Sequence, residues 1–180
     1  MAITKIQSES LNLSDTYDFT GTVTGAGGIT EADFFRTNAE TSVSGGTQTL
    51  ISSWTRNTQS VKIGTGMSVS SGIWTFPSTG IYLINVNLNH NTSADNRYVY
   101  AAIQSTTDNS SYSTLVRGYT SINYNSSSWW GGSNISFIFD CTNTTNDKIK
   151  IYSQSENSTN VGSSESNDSS RAVFIKIGDT

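Results

Sequence analysis

One stretch constrains the fold more than any other: residues 72–89, GIWTFPSTGIYLINVNLN, which hold the only proline of the chain. Its first apolar run, residues 73–76, is β-branched and aromatic, which favours a strand. Pro77 lacks a backbone donor and fixes φ, so strand pairing cannot continue through it, and Gly80 can take positive φ where the turn ends. We therefore predict a hairpin whose second strand covers residues 81–89.

This second strand carries apolar residues on both faces near its start. At period two, one face holds Tyr82, Ile84, Val86 and Leu88, and the other holds Ile81 and Leu83. A strand that is apolar on both faces is covered on both sides. We expect a sandwich core against one face and a second partner, such as another subunit, against the other.

The rest of the chain repeats short apolar segments between polar turns. Only 13% of the 180 residues are charged, and 11% are aromatic, a combination that differs from the composition of disordered chains. Strands are predicted at 47–54, 61–63, 96–104, 112–121, 129–141, 147–153 and 171–178, and an exposed loop at 155–170. The pattern predicts an all-β jelly-roll sandwich of about ten strands over residues 31–180.

Two segments near the N-terminus need separate interpretation. Within 29–40, Thr30 with Glu31 suits the start of a short helix, whereas Phe34 and Phe35 suit the first strand, which we favour. Residues 1–30 predict a short extended arm for assembly or docking, with a frayed tail as the alternative. We favour the arm because apolar residues alternate there, at Leu11, Leu13, Tyr17 and Phe19.

The order of these segments resembles the trimeric jelly-roll superfamily of the complement globular head and tumour necrosis factor. The resemblance covers residues 34–178 and is carried by Phe34-Phe35-Arg36, by NISFIFDCTNTTNDKIKIYS and RAVFIKIG, and most specifically by Trp74, Pro77, Gly80 and Tyr82. It implies a homotrimer in which the apolar faces divide between sandwich core and three-fold axis. The residues expected at the interface are Tyr82, Ile84, Val86, Leu88, Phe137 and Phe139.

The segment SLNLSDTYDFTGTVTGAGG is similar to the start of virion fibre proteins of bacteriophages, especially those of marine and cyanobacterial hosts. The N-terminus shows no secretory hydrophobic region, which agrees with synthesis in a host cytoplasm. This similarity implies a place on the virion surface, with residues 1–30 contacting other virion proteins.

The sequence concentrates no catalytic groups. The single histidine, His90, is interpreted as a polar residue at a strand end, and the single cysteine, Cys141, as an inert core thiol. Asp95, Asp108, Asp140 and Asp147 fall in turns, where carboxylates usually cap backbone groups and less often bind calcium. We predict no catalytic residue, no cofactor and no metal, and leave calcium binding open.

The composition also argues against two classes of partner, nucleic acids and membranes. A pI near 4.8 with ten scattered Lys and Arg residues argues against nucleic-acid binding. No apolar run approaches the ~20 residues that span a bilayer, so we predict no membrane insertion.

The candidates for glycan or partner contact are the aromatics Tyr119, Tyr124, Trp129 and Trp130. Interface or core-edge packing is their alternative role, and the two adjacent tryptophans cannot both face one core.

Together these features predict a non-enzymatic bacteriophage virion protein: a trimeric, surface-displayed jelly roll, anchored by its arm and in contact with host surface glycans. Its small size favours a capsid decoration or head fibre, and its uncharged loops favour a short tail fibre, so both locations stay open. The alternatives are a bacterial glycan-binding lectin of the same fold and, less favoured, a polysaccharide hydrolase, which would need two opposed carboxylates.

Overall fold

The computed structural model describes residues 28–56, 62–124, 129–162 and 169–180. Within these ranges the chain forms thirteen β-strands and no helix. The strands are β1 (Ala32–Thr37), β2 (Thr41–Val43), β3 (Thr49–Leu50), β4 (Trp54–Arg56), β5 (Ser68–Ser70), β6 (Ile73–Thr75), β7 (Gly80–Thr92), β8 (Asn96–Thr106), β9 (Ser113–Ile122), β10 (Trp129–Cys141), β11 (Lys148–Ser155), β12 (Thr159–Val161) and β13 (Arg171–Gly178).

These strands build two antiparallel sheets. In sheet A, β7 is flanked on one side by β10 and on the other by β13 and β12, and the order continues from β13 to β1 and β4 and from β12 to β2. In sheet B the order is β5, β6, β11, β8 and β9, with β3 beside β11. The prediction of an all-β jelly-roll sandwich is confirmed.

The stretch around Pro77 connects the two sheets and does not form the predicted hairpin. Strand β6 pairs with β5 and β11 in sheet B, whereas β7 lies in sheet A. At Gly80, φ is +145° and a Cβ would lie 2.7 Å from the carbonyl oxygen of Gly178, so only glycine fits there. The Tyr82 hydroxyl donates to the Ser78 carbonyl at 3.0 Å and fixes the turn.

The core lies between the sheets and is aromatic along much of its length. The Trp74 ring contacts Phe35 and Phe174, with centroids 4.7 and 4.8 Å apart. Next to this group, Phe76 stacks on Phe139 at 5.0 Å and contacts Tyr82 at 4.8 Å. Such ring contacts add to the stabilisation from burial alone.

The edges of the two sheets approach each other where β9 meets β10. A Cβ at Gly118 of β9 would lie 1.9 Å from the carbonyl oxygen of Asn134 on β10. The backbones are therefore too close for any larger residue at this position. This contact closes one side of the sandwich.

Most predicted strands are present, and the departures are local. Residues 47–54 form two strands, because β3 joins sheet B and β4 joins sheet A. The predicted loop 155–170 contains β12, whose Val161 is fully buried although its neighbours are polar. Strands β2 and β5 were not predicted, and in 61–63 the described part shows only an isolated bridge from Ile63 to Ala32.

Candidate functional site

The inner face of β7 belongs to the core of a single chain. Tyr82, Ile84, Val86 and Leu88 are each at most 2% exposed, because sheet B of the same chain covers them. Their predicted place at a subunit interface is therefore wrong. The period-two pattern identified the face correctly but not what covers it.

The same correction applies to β10. Phe139 is buried, and Phe137 packs on the margin of the same core. Both project from the inner side of β10, in register with Tyr82 and Ile84 on β7. Phe139 is therefore not available for the predicted three-fold contact, and Phe137 keeps only part of its surface exposed.

The outer face of sheet A carries an apolar surface near the N-terminal end of β7. Register places Ile138, Leu83 and Ile175 in one row across β10, β7 and β13. In the next row Val173 of β13 pairs with Phe34 of β1. We call these five residues the apolar patch. Ile138 is 59% exposed and the other four are half-buried, so nothing in the described chain covers them fully.

The other end of the same face is polar. It presents a group of asparagines, which we call the asparagine end: Asn87, Asn89, Asn91, Asn134 and Asn160. The Asn87 amide Nδ2 donates to Asn134 Oδ1 at 2.6 Å, across β7 and β10. The outer face thus changes from aliphatic to amide side chains along one strand.

The four aromatics predicted as glycan or partner contacts do not form one cluster. Trp129 and Trp130 lie on opposite faces of β10, with 41% and 50% of their surfaces exposed. Tyr119 is on β9, at the outer face of sheet B, and is 59% exposed. Tyr124 follows the end of β9, where its backbone N–H donates to Asp95 Oδ1 at 2.6 Å.

Around Tyr119 the outer face of sheet B is also aromatic. Its ring lies 5.0 Å from that of Tyr100, and the Arg117 guanidinium lies 5.3 Å from the Tyr100 centroid. The Tyr100 hydroxyl donates to Gln154 Oε1. Burial raises the pKa of Tyr100, although Arg117 opposes this effect. An open depression of about 440 Å³ on this face is lined by Arg117 and Tyr119.

The two potential nucleophilic or basic side chains are buried and uncharged. His90 is not at the strand end as predicted: β7 continues to Thr92, and His90 is fully buried with Nε2 2.9 Å from Ser133 Oγ. Burial lowers the pKa of His90 to about 4. Cys141 is buried as predicted, and burial raises its pKa to about 11. Neither group is poised for chemistry near neutral pH.

Of the four carboxylates predicted in turns, Asp108 and Asp147 cap nearby backbone groups, Asp95 accepts from the more distant Tyr124 N–H, and Asp140 lies in β10. Asp108 Oδ1 accepts from the N–H groups of Ser110 and Ser111, and Thr106 donates its hydroxyl to the same oxygen, so the pKa of Asp108 is lowered. Asp147 Oδ2 accepts from the N–H groups of Thr142 and Asn143. In the part of the chain that is described, no three His, Cys, Asp or Glu side chains come together as metal ligands.

Other predicted features fall elsewhere. The arm residues Leu11, Leu13, Tyr17 and Phe19 lie outside the described residues. Among the residues that are described, none belongs to a helix of the length and apolarity needed to cross a bilayer.

The jelly roll has counterparts among solved structures. The Eiger TNF of S. frugiperda superimposes with a TM-score of 0.64 at 16% identity, covering 83% of this chain and 93% of that one. Murine APRIL at pH 8.0 gives 0.59 at 16% identity, covering 81% and 98%. No protein-family model and no curated protein sequence matches the chain. The tumour-necrosis-factor-like fold is therefore shown, and at these identities the likeness concerns the fold alone.

Proposed function

We propose that this chain is a non-enzymatic structural protein that assembles into a homotrimer through the apolar patch on the outer face of sheet A. The observation that carries the proposal is the uncovered row Ile138, Leu83 and Ile175, which contains no charged side chain. Obligate interfaces resemble a protein core cut in half, and their buried centre is more apolar than the rest of the surface. Three copies is the number that the family resemblance implies.

The position of the patch suits self-association. It lies across the hydrogen-bonded strands β10, β7, β13 and β1, whose backbone is already ordered in the single chain, so little further ordering is needed on contact. Apolar area removed from water stabilises a complex by roughly 25 cal/mol per Å². The asparagine end borders the patch and supplies the polar rim that such interfaces have.

A structural or binding role also fits the chemistry of the side chains. The buried His90 and Cys141 have pKa values displaced away from reactivity, in the directions described above. The carboxylates Asp108 and Asp147 are already engaged by backbone donors. Much of the remaining surface is hydroxyl, amide and aromatic, with scattered charged side chains of which several are held in ion pairs, such as Arg97–Glu156 and Lys176–Asp179.

For the biological setting we propose display on the surface of a bacteriophage virion, after synthesis in the host cytoplasm. The support is the similarity of residues 10–28 to the start of phage fibre proteins. Residues 1–30 would hold the trimer to other virion proteins, as a capsid decoration or head fibre or as a short tail fibre, and the exposed aromatics would contact host glycans.

The native mass of the full chain, and of a chain without residues 1–28, tests the assembly. We expect a trimer in both cases, because the patch lies within the jelly roll. A monomer at micromolar concentration in both would contradict the proposal, and a trimer that needs residues 1–28 would assign assembly to the arm. Cryo-electron microscopy of particles that carry this gene tests the setting: the chain should occupy density on the capsid or tail.

A second candidate, a bacterial lectin of the same fold, is favoured by one observation: Trp130 and Tyr119 are large aromatics left half or more exposed. Aromatic faces of this kind stack against sugar rings. This candidate predicts glycan binding by a protein that is absent from virions, so the same particle imaging separates the two.

A further inference from the structure

Four strands place four uncharged residues in one row at the asparagine end. Trp130 of β10 pairs with Asn91 of β7, Asn91 pairs with Asn160 of β12, and Asn160 pairs with Ser42 of β2. Residues directly opposite in neighbouring strands share a face. With strands about 4.8 Å apart, the row extends from the Trp130 backbone across about 14 Å of the outer face.

Three residues of this row, Asn91, Asn160 and Ser42, line a depression in the surface. Its volume is about 360 Å³, at the lower end of the range for small-ligand sites. Its nine lining residues are uncharged, and six of them are Ser42, Ser44, Asn91, Ser93, Ser158 and Asn160. All six are hydroxyls or amides, and none carries a charge.

The amides in the depression are available to a ligand. Within the described residues, the side chains of Asn91 and Asn160 make no hydrogen bond, whereas Asn87 and Asn134 on the same face bond to each other. Each free amide offers two donors and one acceptor. Adjacent vicinal hydroxyls need that combination of donors and acceptors.

Trp130 lies beside the depression, on β10 and directly opposite the lining residue Asn91. It is 50% exposed, and the next residue on its side of β10 is Gly132, which has no side chain to cover it. An indole ring binds the C–H face of a pyranose through apolar contact, while the hydroxyls at the ring edge remain free to bond elsewhere.

We propose that the depression, together with the neighbouring Trp130, binds a neutral oligosaccharide. One sugar ring stacks on Trp130 and the next places its hydroxyls against Asn91 and Asn160. An uncharged lining favours neutral sugars, because a sialic or uronic carboxylate would lose hydration with no cation to replace it. The inference rests on the proposed display function for its biological setting.

The outer face of sheet B is the competing location, since Tyr119 is exposed there. Arg117 beside it would suit an acidic glycan, and an open depression of about 440 Å³ there is lined by Arg117 and Tyr119. Its lining offers no amide side chain, however, and the hydroxyl of the neighbouring Tyr100 is already engaged. A site at Tyr119 would therefore differ from the proposed one in both location and charge preference. That difference makes the two distinguishable.

The test is an array of immobilised oligosaccharides, half neutral and half bearing sialic or uronic acid, probed with the full-length protein. The strongest neutral probe is then titrated against variants. We expect Trp130→Ala to weaken binding at least about tenfold and Asn160→Ala about threefold, as loss of a stacking ring and of one amide should do. The matched control is Trp129→Ala, an exposed tryptophan on the opposite face of β10, which should change affinity less than about twofold.

Native mass is recorded for every variant, so that loss of assembly and loss of binding are read separately. Binding that persists in a wild-type monomer supports the site although the proposed assembly fails. The inference is overturned if no neutral probe binds, if only acidic probes bind, or if Tyr119→Ala abolishes binding while Trp130→Ala does not. It is also overturned if Trp130→Ala yields monomers, because Trp130 would then be an assembly contact.

Discussion

The apolar patch and the asparagine end are two regions of one sheet face, yet they have opposite chemistry. Along β7 the outward residues change from Ile81 and Leu83 to Asn89 and Asn91, while the inward residues stay buried throughout. Core packing therefore requires the inner alternation over the whole strand but makes no such demand on the outer residues. The change on the outer face is what the proposed assembly requires, with an apolar contact at one end and a hydrated polar surface at the other.

The first prediction tests whether the inner face of β7 belongs to the core, unlike the two outer regions, and it has the largest expected effect on stability. Val86→Asp places a carboxylate in the core, where Val86 is 2% exposed. The cost exceeds about 4 kcal/mol, which is close to the whole stability of many domains. We expect insoluble protein or an unfolded chain, measured by soluble yield and by circular dichroism.

The control is Asn89→Asp, a carboxylate on the outer face of the same strand. It should change the free energy of unfolding by less than about 1 kcal/mol. If Val86→Asp instead gives a folded, soluble monomer, then the inner face of β7 is a subunit interface, as the sequence first suggested, and the patch assignment fails.

The second prediction breaks the apolar patch alone. Ile138→Asp leaves the core intact, because this side chain is 59% exposed, but it buries a charge wherever the patch meets a partner. We expect folded protein whose native mass falls from trimer to monomer, since desolvating the carboxylate costs at least about 2 kcal/mol in each subunit.

Leu115→Asp is the matched control, since Leu115 is a 39% exposed aliphatic residue on β9, away from the patch. It should remain a trimer. If Ile138→Asp also remains a trimer, or if both variants dissociate equally, the patch is not the specific interface.

The third prediction concerns acid stability beneath the asparagine end, where His90 is buried in its neutral form. Because folding lowers the pKa of His90 from 6.5 to about 4, the unfolded chain takes up the proton first. Stability should be complete above pH 6.5 and decline as the pH falls from 6.5 towards 4, by about 3 kcal/mol in total. Urea unfolding at a series of pH values measures this decline.

His90→Gln is the control, since glutamine keeps a polar group near Ser133 and does not titrate. Its stability should be nearly constant between pH 6.5 and 4.5. If the variant loses stability as steeply as the wild type, then other groups are responsible for the acid sensitivity.

Period-two patterns predicted the strands well and their surroundings poorly. RAVFIKIG alternates in the structure as in the sequence, with Ala172 and Phe174 buried and Val173 and Ile175 half-buried. The pattern alone could not say which face meets the second sheet, because that depends on pairings far apart in the chain. The useful signal for the outer surface came from apolar residues at positions where the alternation called for polar ones. Ile81, Leu83 and Ile138 interrupt the alternation, and two of them belong to the patch.

Most of the proposed glycan site could not be predicted from the sequence. Trp130 was singled out from the sequence, but Ser42 and Asn160 lie in strands too short and too polar to predict, β2 and β12. Their row exists only through long-range register between residues 42, 91, 130 and 160. No local sequence pattern predicts this register between distant strands, whereas a tryptophan followed by two glycines can be recognised directly in the sequence.

The smallest predicted effect tests whether the asparagine end takes part in assembly. Asn134→Ala removes the hydrogen bond from Asn87, which joins two exposed amides across β7 and β10 at 2.6 Å. Such a bond contributes about 0.5–1 kcal/mol, because each amide can bond to water when its partner is lost. We expect a slightly lower urea midpoint, no further loss in the Asn87→Ala and Asn134→Ala double variant than in either single one, and an unchanged trimer mass. Dissociation of Asn134→Ala would show instead that the interface extends from the apolar patch into the amide surface, which would remove the distinction between the two regions.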